Sequence, residues 1–457
     1  MAKSTTKELT YGSPMKLILT FVIPLIFGNL FQQLYGMVDT MVVGRYLGVN
    51  ALAAVGSTGS ISYLIIGFCS GVCTGFAIPV GQKFGARDFV SLRRFVANSV
   101  WLSVVFAIVT TVGTVLACRG ILELMKTPAD IIEGAYTYVV IIFLGIPVTF
   151  LYNLLAGIIR ALGDSKTPVY FLMVSATLNI ILDLVFVLVF DMGIAGVAWA
   201  TVISQGISGI LCLFYMKKKF DILKISREEW KADSSLMKIL CNMAIPTGLQ
   251  HSVTALGGVI VQSAVNGLGA VTVAAITASN RVSALVNCPF DALGVTMTNY
   301  ASQNVGANEM DRVKKGVNAG NVIAFVYSII AILLVRFVGR PFITLFVTNT
   351  DAGSTDIVNL AFKYLTIYTY FGMCLAWIYI YRFSIQGMGF PKYAVIAGGL
   401  EMVARVIMGI FLIPRFGFEA ACFSNPLAWV FTDVFLFPAF YHLIRKLKIM
   451  YGNAHNA

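Results

Sequence analysis

Apolar stretches long enough to cross a bilayer recur twelve times along this chain, at 17–43, 52–80, 95–118, 135–157, 168–190, 193–216, 238–265, 271–300, 317–338, 358–384, 393–413 and 418–443. A spanning helix needs about 20 mostly apolar residues. The runs are continuous rather than alternating, which excludes a closed membrane barrel. In hydrocarbon every backbone polar group must be bonded within the chain, and continuous apolar runs achieve that as helices. Composition agrees: 58% of the 457 residues are hydrophobic and 12% charged, with a mean hydropathy of +0.83. Soluble domains carry about 25% charged residues. A disordered chain needs far lower hydrophobicity. The sequence therefore predicts an all-α polytopic membrane protein with twelve transmembrane helices.

The net charge of +12 does not call for nucleic acid, because Lys and Arg collect in the cytoplasmic loops of membrane proteins. With the N-terminus inside, 24 basic residues fall in inner segments, starting with Lys3, Lys7 and Lys16, and 7 fall in outer ones. Both termini are thus expected in the cytoplasm, and the setting is a plasma membrane, of the bacterial inner-membrane kind. The N-terminus MAKSTTKELTYGSP is polar, and the apolar run after it is too long for the core of a cleavable signal. Eight cysteines lie almost wholly inside apolar runs, where they read as small packing groups. Cys69 and Cys73 are four apart without a nearby His or further Cys to complete a metal site.

The chain also repeats itself. LTFVIPLIFGNLFQQLYG (19–36) matches CNMAIPTGLQHSVTALGG (241–258), and VGQKFGARDFVSLRR (80–94) matches ASQNVGANEMDRVKK (301–315). RALGDSK (160–166) matches QGMGFPK (386–392), and the offset stays between 221 and 226 residues. Six helices are therefore duplicated: a lobe over 1–216, a charged cytoplasmic connector over 217–237, and a second lobe over 238–457. An even number of helices per half makes the repeats parallel. Such duplication is a transporter plan, with a central cavity between halves that rock.

This plan resembles the multidrug and toxic compound extrusion (MATE) family. So do IPLIFGNLFQQLYGMVDTMVVGRYLG in the first helix, QKFGARD after the second, RALGDSKTP before the fifth and LNIILD within it. The resemblance covers essentially the whole chain. It implies multidrug efflux, the export of small organic and often cationic compounds in exchange for H⁺ or Na⁺. The superfamily also contains flippases for lipid-linked oligosaccharides.

Charges inside a membrane cost at least about 2.5–3.5 kcal/mol each at mid-bilayer and need a reason. Asp39 stands five residues before Gly44, Asp183 seven before Phe190, and Thr201 eight after Gly193. All three then lie roughly 8–12 Å below one membrane boundary. Asn179 and Asp183, four apart, share a helix face. Two carboxyls, an amide and a hydroxyl at one depth suit Na⁺. Paired carboxyls equally suit H⁺, and a plain hydrogen-bond network tying helices together is the alternative. In the DinF-like branch of the family the coupling site falls on the positions matching Asp39, Asn179, Asp183 and Thr201. Tyr35, Tyr138, Asn153 and Arg281 are candidates for a substrate cavity. In the second half the equivalents are Val261 for Asp39, Arg405 for Asn179 and Gly409 for Asp183, so the carboxyl pair has no twin there.

Glu401 and Arg405, four apart, read as an intrahelical ion pair. Asp433 is isolated in sequence, and His251 reads as a polar core residue. The seventh helix lacks acids, and so does the tenth between Ile357 and Ser384, which departs from the NorM-like branch. No phosphate-binding glycine loop, HExxH, CxxC or nucleophile elbow is present. Neither enzymatic function nor a cofactor is expected beyond the coupling ion, and two fused halves make a monomer sufficient. An oligosaccharide flippase is the rival reading, set back because only Arg281 and Arg405 fall within the membrane.

Overall fold

The structure, a computed structural model, describes residues 8–347 and 354–455. Lys3 and Lys7, counted above toward the cytoplasmic face, lie outside the described residues. All regular structure among them is helical: α1 (Pro14–Val42), α2 (Val49–Ser57), α3 (Gly59–Gly85), α4 (Phe89–Leu124), α5 (Ile132–Leu144), α6 (Ile146–Ala161), α7 (Lys166–Leu184), α8 (Gly193–Lys219) and α9 (Ser234–Asn266) come first. Then follow α10 (Ala270–Gly306), α11 (Met310–Thr344), α12 (Ser354–Tyr370), α13 (Gly372–Gly387), α14 (Pro391–Ile407), α15 (Ile413–Phe416) and α16 (Phe418–His455).

Each of the twelve expected segments coincides with one helix or with consecutive helices. Eight helices are each long and apolar enough to cross a membrane, and nine spans result if the bent pair α5–α6 is taken as one. α9 and α10, at 33 and 37 residues, have the length but carry more polar positions. Three expected single helices are broken. Segment 52–80 divides at Thr58, between α2 and α3. Segment 135–157 divides at Gly145 with a 44° bend, because Pro147 in the first turn of α6 has no N–H to continue the ladder. Segment 358–384 divides at Phe371, where Gly372 opens α13.

Backbone geometry repeats with the sequence. Left-handed residues fall in pairs 221–226 positions apart: Gly48 (φ 86°) with Gly269 (95°), Arg87 (57°) with Asn308 (61°), Gly163 (89°) with Gly389 (93°), and Gly193 (58°) with Gly417 (59°). For the non-glycine pair this conformation is sterically costly; each follows a Gly-Ala step at the end of a helix. The π-helical turns Val185–Val189 and Val43–Leu47 have one counterpart at the same spacing, since Val185–Val189 matches Met408–Leu412. The fold is a duplicated six-helix repeat, twelve spans in all.

Two compact units form. One holds Phe27–Ser252 with the stretch up to Leu9; the other holds Thr10–Ile26 with Val253 onward. The division falls inside α1 and α9, which carry the matched prolines Pro24 and Pro246, and the stretch 217–237 belongs to the first unit. In that unit α3 packs on α6, and α6 and α7 on α8, around Phe76, Phe143, Phe150 and the buried Cys69, Cys73, Cys118 and Cys212. α3 meets α9 closely: a Cβ on Gly75 would lie 2.4 Å from Ala244 Cα. In the second unit α10 packs on α11, α12 and α13, and α16 on α13 and α14, burying Phe290, Tyr300 and Trp429. Large apolar side chains such as Leu116 (80% exposed) and Phe337 (77%) stand outward on long helices, as a lipid-facing surface requires.

The stretch between α8 and α9 is docked rather than loose. Arg93 pairs with Glu229 and Arg94 with Asp233, each at 2.7 Å. Trp101 Nε1 donates to the Trp230 carbonyl at 3.1 Å, and Asp233 N to Asn98 Oδ1 at 2.9 Å.

Candidate functional site

The carboxyls of Asp39 on α1 and Asp183 on α7 face each other closely enough to interact directly. Asp183 is fully buried, Asn179 is 2% exposed and one turn away, and Asp39 is half-buried. No hydrogen-bond partner is supplied to Asp39 Oδ1, to either carboxyl oxygen of Asp183, or to the amide oxygen and nitrogen of Asn179 among the described residues. A buried polar group without a partner costs about 1–3 kcal/mol, and more when charged. Three neighbouring side chains bear that cost here. Native structures rarely leave such groups unpaired without a functional reason.

Local sequence explains the placement. α7 packs along α8, and the LNIILD run sets Asn179 and Asp183 on the buried face of α7. At the end of the helix an apolar cluster borders the site. Val42, Val43, Ala51, Val187 and Val197 are buried there, with Val38, Leu184 and Tyr138 packed against them. Val38 and Leu184 are the immediate chain neighbours of the two acids, and Tyr138 of this cluster is within electrostatic reach of both, so the cluster borders the pair.

Of the other expected residues, Tyr35 and Tyr138 place their hydroxyls within electrostatic reach of both carboxyls. Thr201 lies on α8, half-buried, with its hydroxyl donating to Val197 O at 3.1 Å; its oxygen lone pairs remain available. Asn153 donates its amide to Thr149 O at 2.9 Å within its own helix. Arg281 belongs to the second unit, where it is exposed and lines a cavity of about 710 Å³ with Asn266, Thr277 and Phe346. Two carboxyls with an amide one turn away form an oxygen-rich set that can take a small hard cation or share a proton.

The second unit holds a charge cluster that sequence reading saw only in part. The expected Glu401–Arg405 pair forms, at 2.7 Å. Arg382 is also buried, on α13, and pairs with Glu401 at 2.8 Å. Sequence spacing gave no sign of this pairing, since Arg382 and Glu401 lie on different helices. Asp433 is 4% exposed, and neither carboxyl oxygen has a hydrogen-bond partner. His251 packs against Gly71, its Cδ2 2.9 Å from where a Cβ would stand.

Comparison with known proteins follows the same two halves. The MatE family model matches residues 24–185 and 246–411. The chain is 32% identical over 355 residues to the probable multidrug resistance protein YoeA of Bacillus subtilis strain 168, covering 76% of each chain. It is 30% identical to the probable multidrug resistance protein YpnP of the same strain, over 78% of this chain and 80% of the relative. Among solved structures, an outward-facing multidrug resistance MATE family transporter of the MOP superfamily superposes with a TM-score of 0.89, at 20% identity, covering 98% of this chain and all of that one. With twelve helical segments in two matched halves, and with both halves recognised, this chain belongs to the MatE family of multi-pass membrane transporters.

Proposed function

We infer that the protein is a secondary active exporter of small organic cations, driven by H⁺ or Na⁺ entering at Asp39, Asn179, Asp183 and Thr201. The observation that carries this reading is the Asp39–Asp183 carboxyl pair, bordered by an apolar cluster with oxygen atoms left unsatisfied. Two ionised carboxyls so close repel, and a cation or a shared proton relieves the repulsion. Occupation of the site by the entering ion lowers affinity for the cationic substrate, which leaves outside; alternating access then resets the protein. The names of YoeA and YpnP as multidrug resistance proteins support the substrate class. The charge bias of the loops supports a plasma-membrane protein with both termini cytoplasmic. A DinF-like coupling site fits the absence of acids from the first-unit pair's second-half equivalents, and a monomer contains every residue the reading uses.

The flippase reading has less support. A phosphate-bearing lipid calls for several unneutralised arginines, whereas buried Arg382 and Arg405 share Glu401 and keep one net positive charge between them. The test is ethidium transport in inverted vesicles under a pH gradient and, separately, a Na⁺ gradient. Efflux driven by one of them and lost in Asp39→Asn is the expected outcome. Undiminished gradient-driven efflux in that variant would remove the site from the mechanism.

A further inference from the structure

The second unit contains a cavity of about 100 Å³ whose polar lining comes from Gln262, Asn280, Tyr364, Arg405 and Asn425, with Val261 on its apolar side. These positions are the repeat equivalents of the first-unit carboxyl site. Val261 stands where Asp39 does, Arg405 where Asn179 does, Tyr364 where Tyr138 does, and Asn425 where Thr201 does, each at the spacing shared by the left-handed backbone pairs. The equivalent of Asp183, Gly409, has no side chain, and the space its Cβ would need is bordered by Ile260 Cγ2 at 3.1 Å. At these positions the second unit therefore carries an arginine and neutral groups where the first carries two carboxyls.

Among the groups lining the cavity, Arg405 and Tyr364 have hydrogens to donate. Arg405 is 8% exposed and its Nε–H is buried without a partner. Its Nη1 donates to Thr254 O and its Nη2 to Asn425 Oδ1, both at 3.2 Å. Asn425 Nδ2 in turn donates to Tyr364 Oη at 3.2 Å, so the phenol oxygen is used as an acceptor and its own proton is free to be given. Arg405 Nη2 also pairs with Glu401 at 2.7 Å, and Glu401 pairs with Arg382 at 2.8 Å, so these three side chains keep one net positive charge. Asp433 lies near Arg382 and Glu401, and neither acid lines the cavity. A guanidinium N–H, a phenol O–H and an amide around a space that holds a few water-sized groups, each taking roughly 30 Å³, form a site for one small monoanion. We propose that this cavity binds such an anion, a halide or a carboxylate group, held by Arg405, Tyr364 and Asn425. It stands independently of the coupling role given to Asp39 and Asp183.

The test uses the purified full-length transporter, with sodium gluconate replaced by sodium chloride or sodium acetate at constant ionic strength, and the unfolding temperature as readout. Gluconate is too bulky for the cavity, and constant ionic strength removes general screening. A ligand bound only by the native state raises stability along a saturation curve. The expected result is a saturable rise of a few degrees in wild type and in Asp39→Asn. It is abolished in Arg405→Gln, and its midpoint moves at least tenfold in Asn425→Leu. A response to chloride alone assigns the site to a free inorganic anion. A response to acetate as well admits a carboxylate carried by a larger molecule. Should Arg405→Gln fail to fold, Asn425→Leu and Tyr364→Phe decide the matter. No response in wild type, or midpoints unchanged in the variants, overturns the proposal.

Discussion

Arg382 on α13 donates to Glu401 on α14 at 2.8 Å, and each side chain is only 5% exposed. Glu401 also accepts from Arg405 at 2.7 Å, so a single carboxylate serves two guanidinium groups in a dry interior. Removing one partner of a buried pair costs about 3–5 kcal/mol because the other charge is stranded. Glu401→Gln strands two and should be the most damaging change. Arg382→Gln leaves Glu401 paired with Arg405 and should cost less. Thermal unfolding of the two variants in detergent checks the order; equal losses would mean that the charges act independently.

Asp183→Asn separates function from stability. Among the described residues no other side chain donates to the Asp183 oxygens, and Asp39 lies against them, so the pair carries an electrostatic cost whenever both carboxyls are ionised. An amide of the same shape removes the like charge. The expected outcome is an unfolding temperature equal to or above wild type, together with at least a tenfold loss of ion-driven efflux. Such opposed effects mark sites kept for function at the expense of stability. A lowered unfolding temperature would point instead to a network that ties helices together.

Much of this was legible in the chain because membrane folding simplifies the code. Hydrocarbon enforces helices, so apolar length alone located every segment, and depth counting from Gly44, Phe190 and Gly193 put Asp39, Asp183 and Thr201 at one level. Breaks were harder to read. Pro147 was visible, yet whether a proline kinks a helix or divides it depends on the packing around Gly145. The pairing of Arg382 was not legible because its partner Glu401 lies on another helix. Tyr364 and Asn425 were overlooked although the repeat spacing from Tyr138 and Thr201 identifies them. Asn153 was placed by depth alone, and depth does not name a side chain's partner; its amide donates to Thr149 O.

Gly75 allows two helix backbones to touch. A Cβ there would stand 2.4 Å from Ala244 Cα and 2.8 Å from Ala244 N. Backbone cannot yield as a flexible side chain does, so Gly75→Ala must push α3 from α9, with overpacking costs of about 1–3 kcal/mol. Gly113, within α4, has nothing within 4 Å of its would-be Cβ. Gly113→Ala should therefore be neutral or slightly stabilising, since alanine favours helix by about 1 kcal/mol. Unfolding temperatures of the two variants, compared side by side, check the contrast; equal effects would refute the close approach.

The docked stretch between α8 and α9 should release in acid. Glu229 is held below the ordinary range of a glutamate, first by the Ser226 backbone N–H at 2.7 Å and further by Arg93 at 2.7 Å. A carboxyl whose folded value is depressed stabilises the folded form above its unfolded value, about 4.3 for Glu, and that contribution fades as pH falls through the folded value. Docking should therefore be unchanged from neutral pH to about pH 5 and weaken only below the ordinary glutamate value. Trp230 reports it directly, because its ring meets that of Trp101 edge to face at 6.4 Å. Fluorine NMR of fluorotryptophan-labelled protein should show the Trp230 signal shifting in that acid range. In Arg93→Gln the transition should move toward higher pH, since one cause of the depression is lost while the Ser226 bond remains. In Glu229→Gln the glutamate's share of the transition should vanish. A transition unaltered in both variants would assign the acid release to other groups, with Asp233 the first to examine.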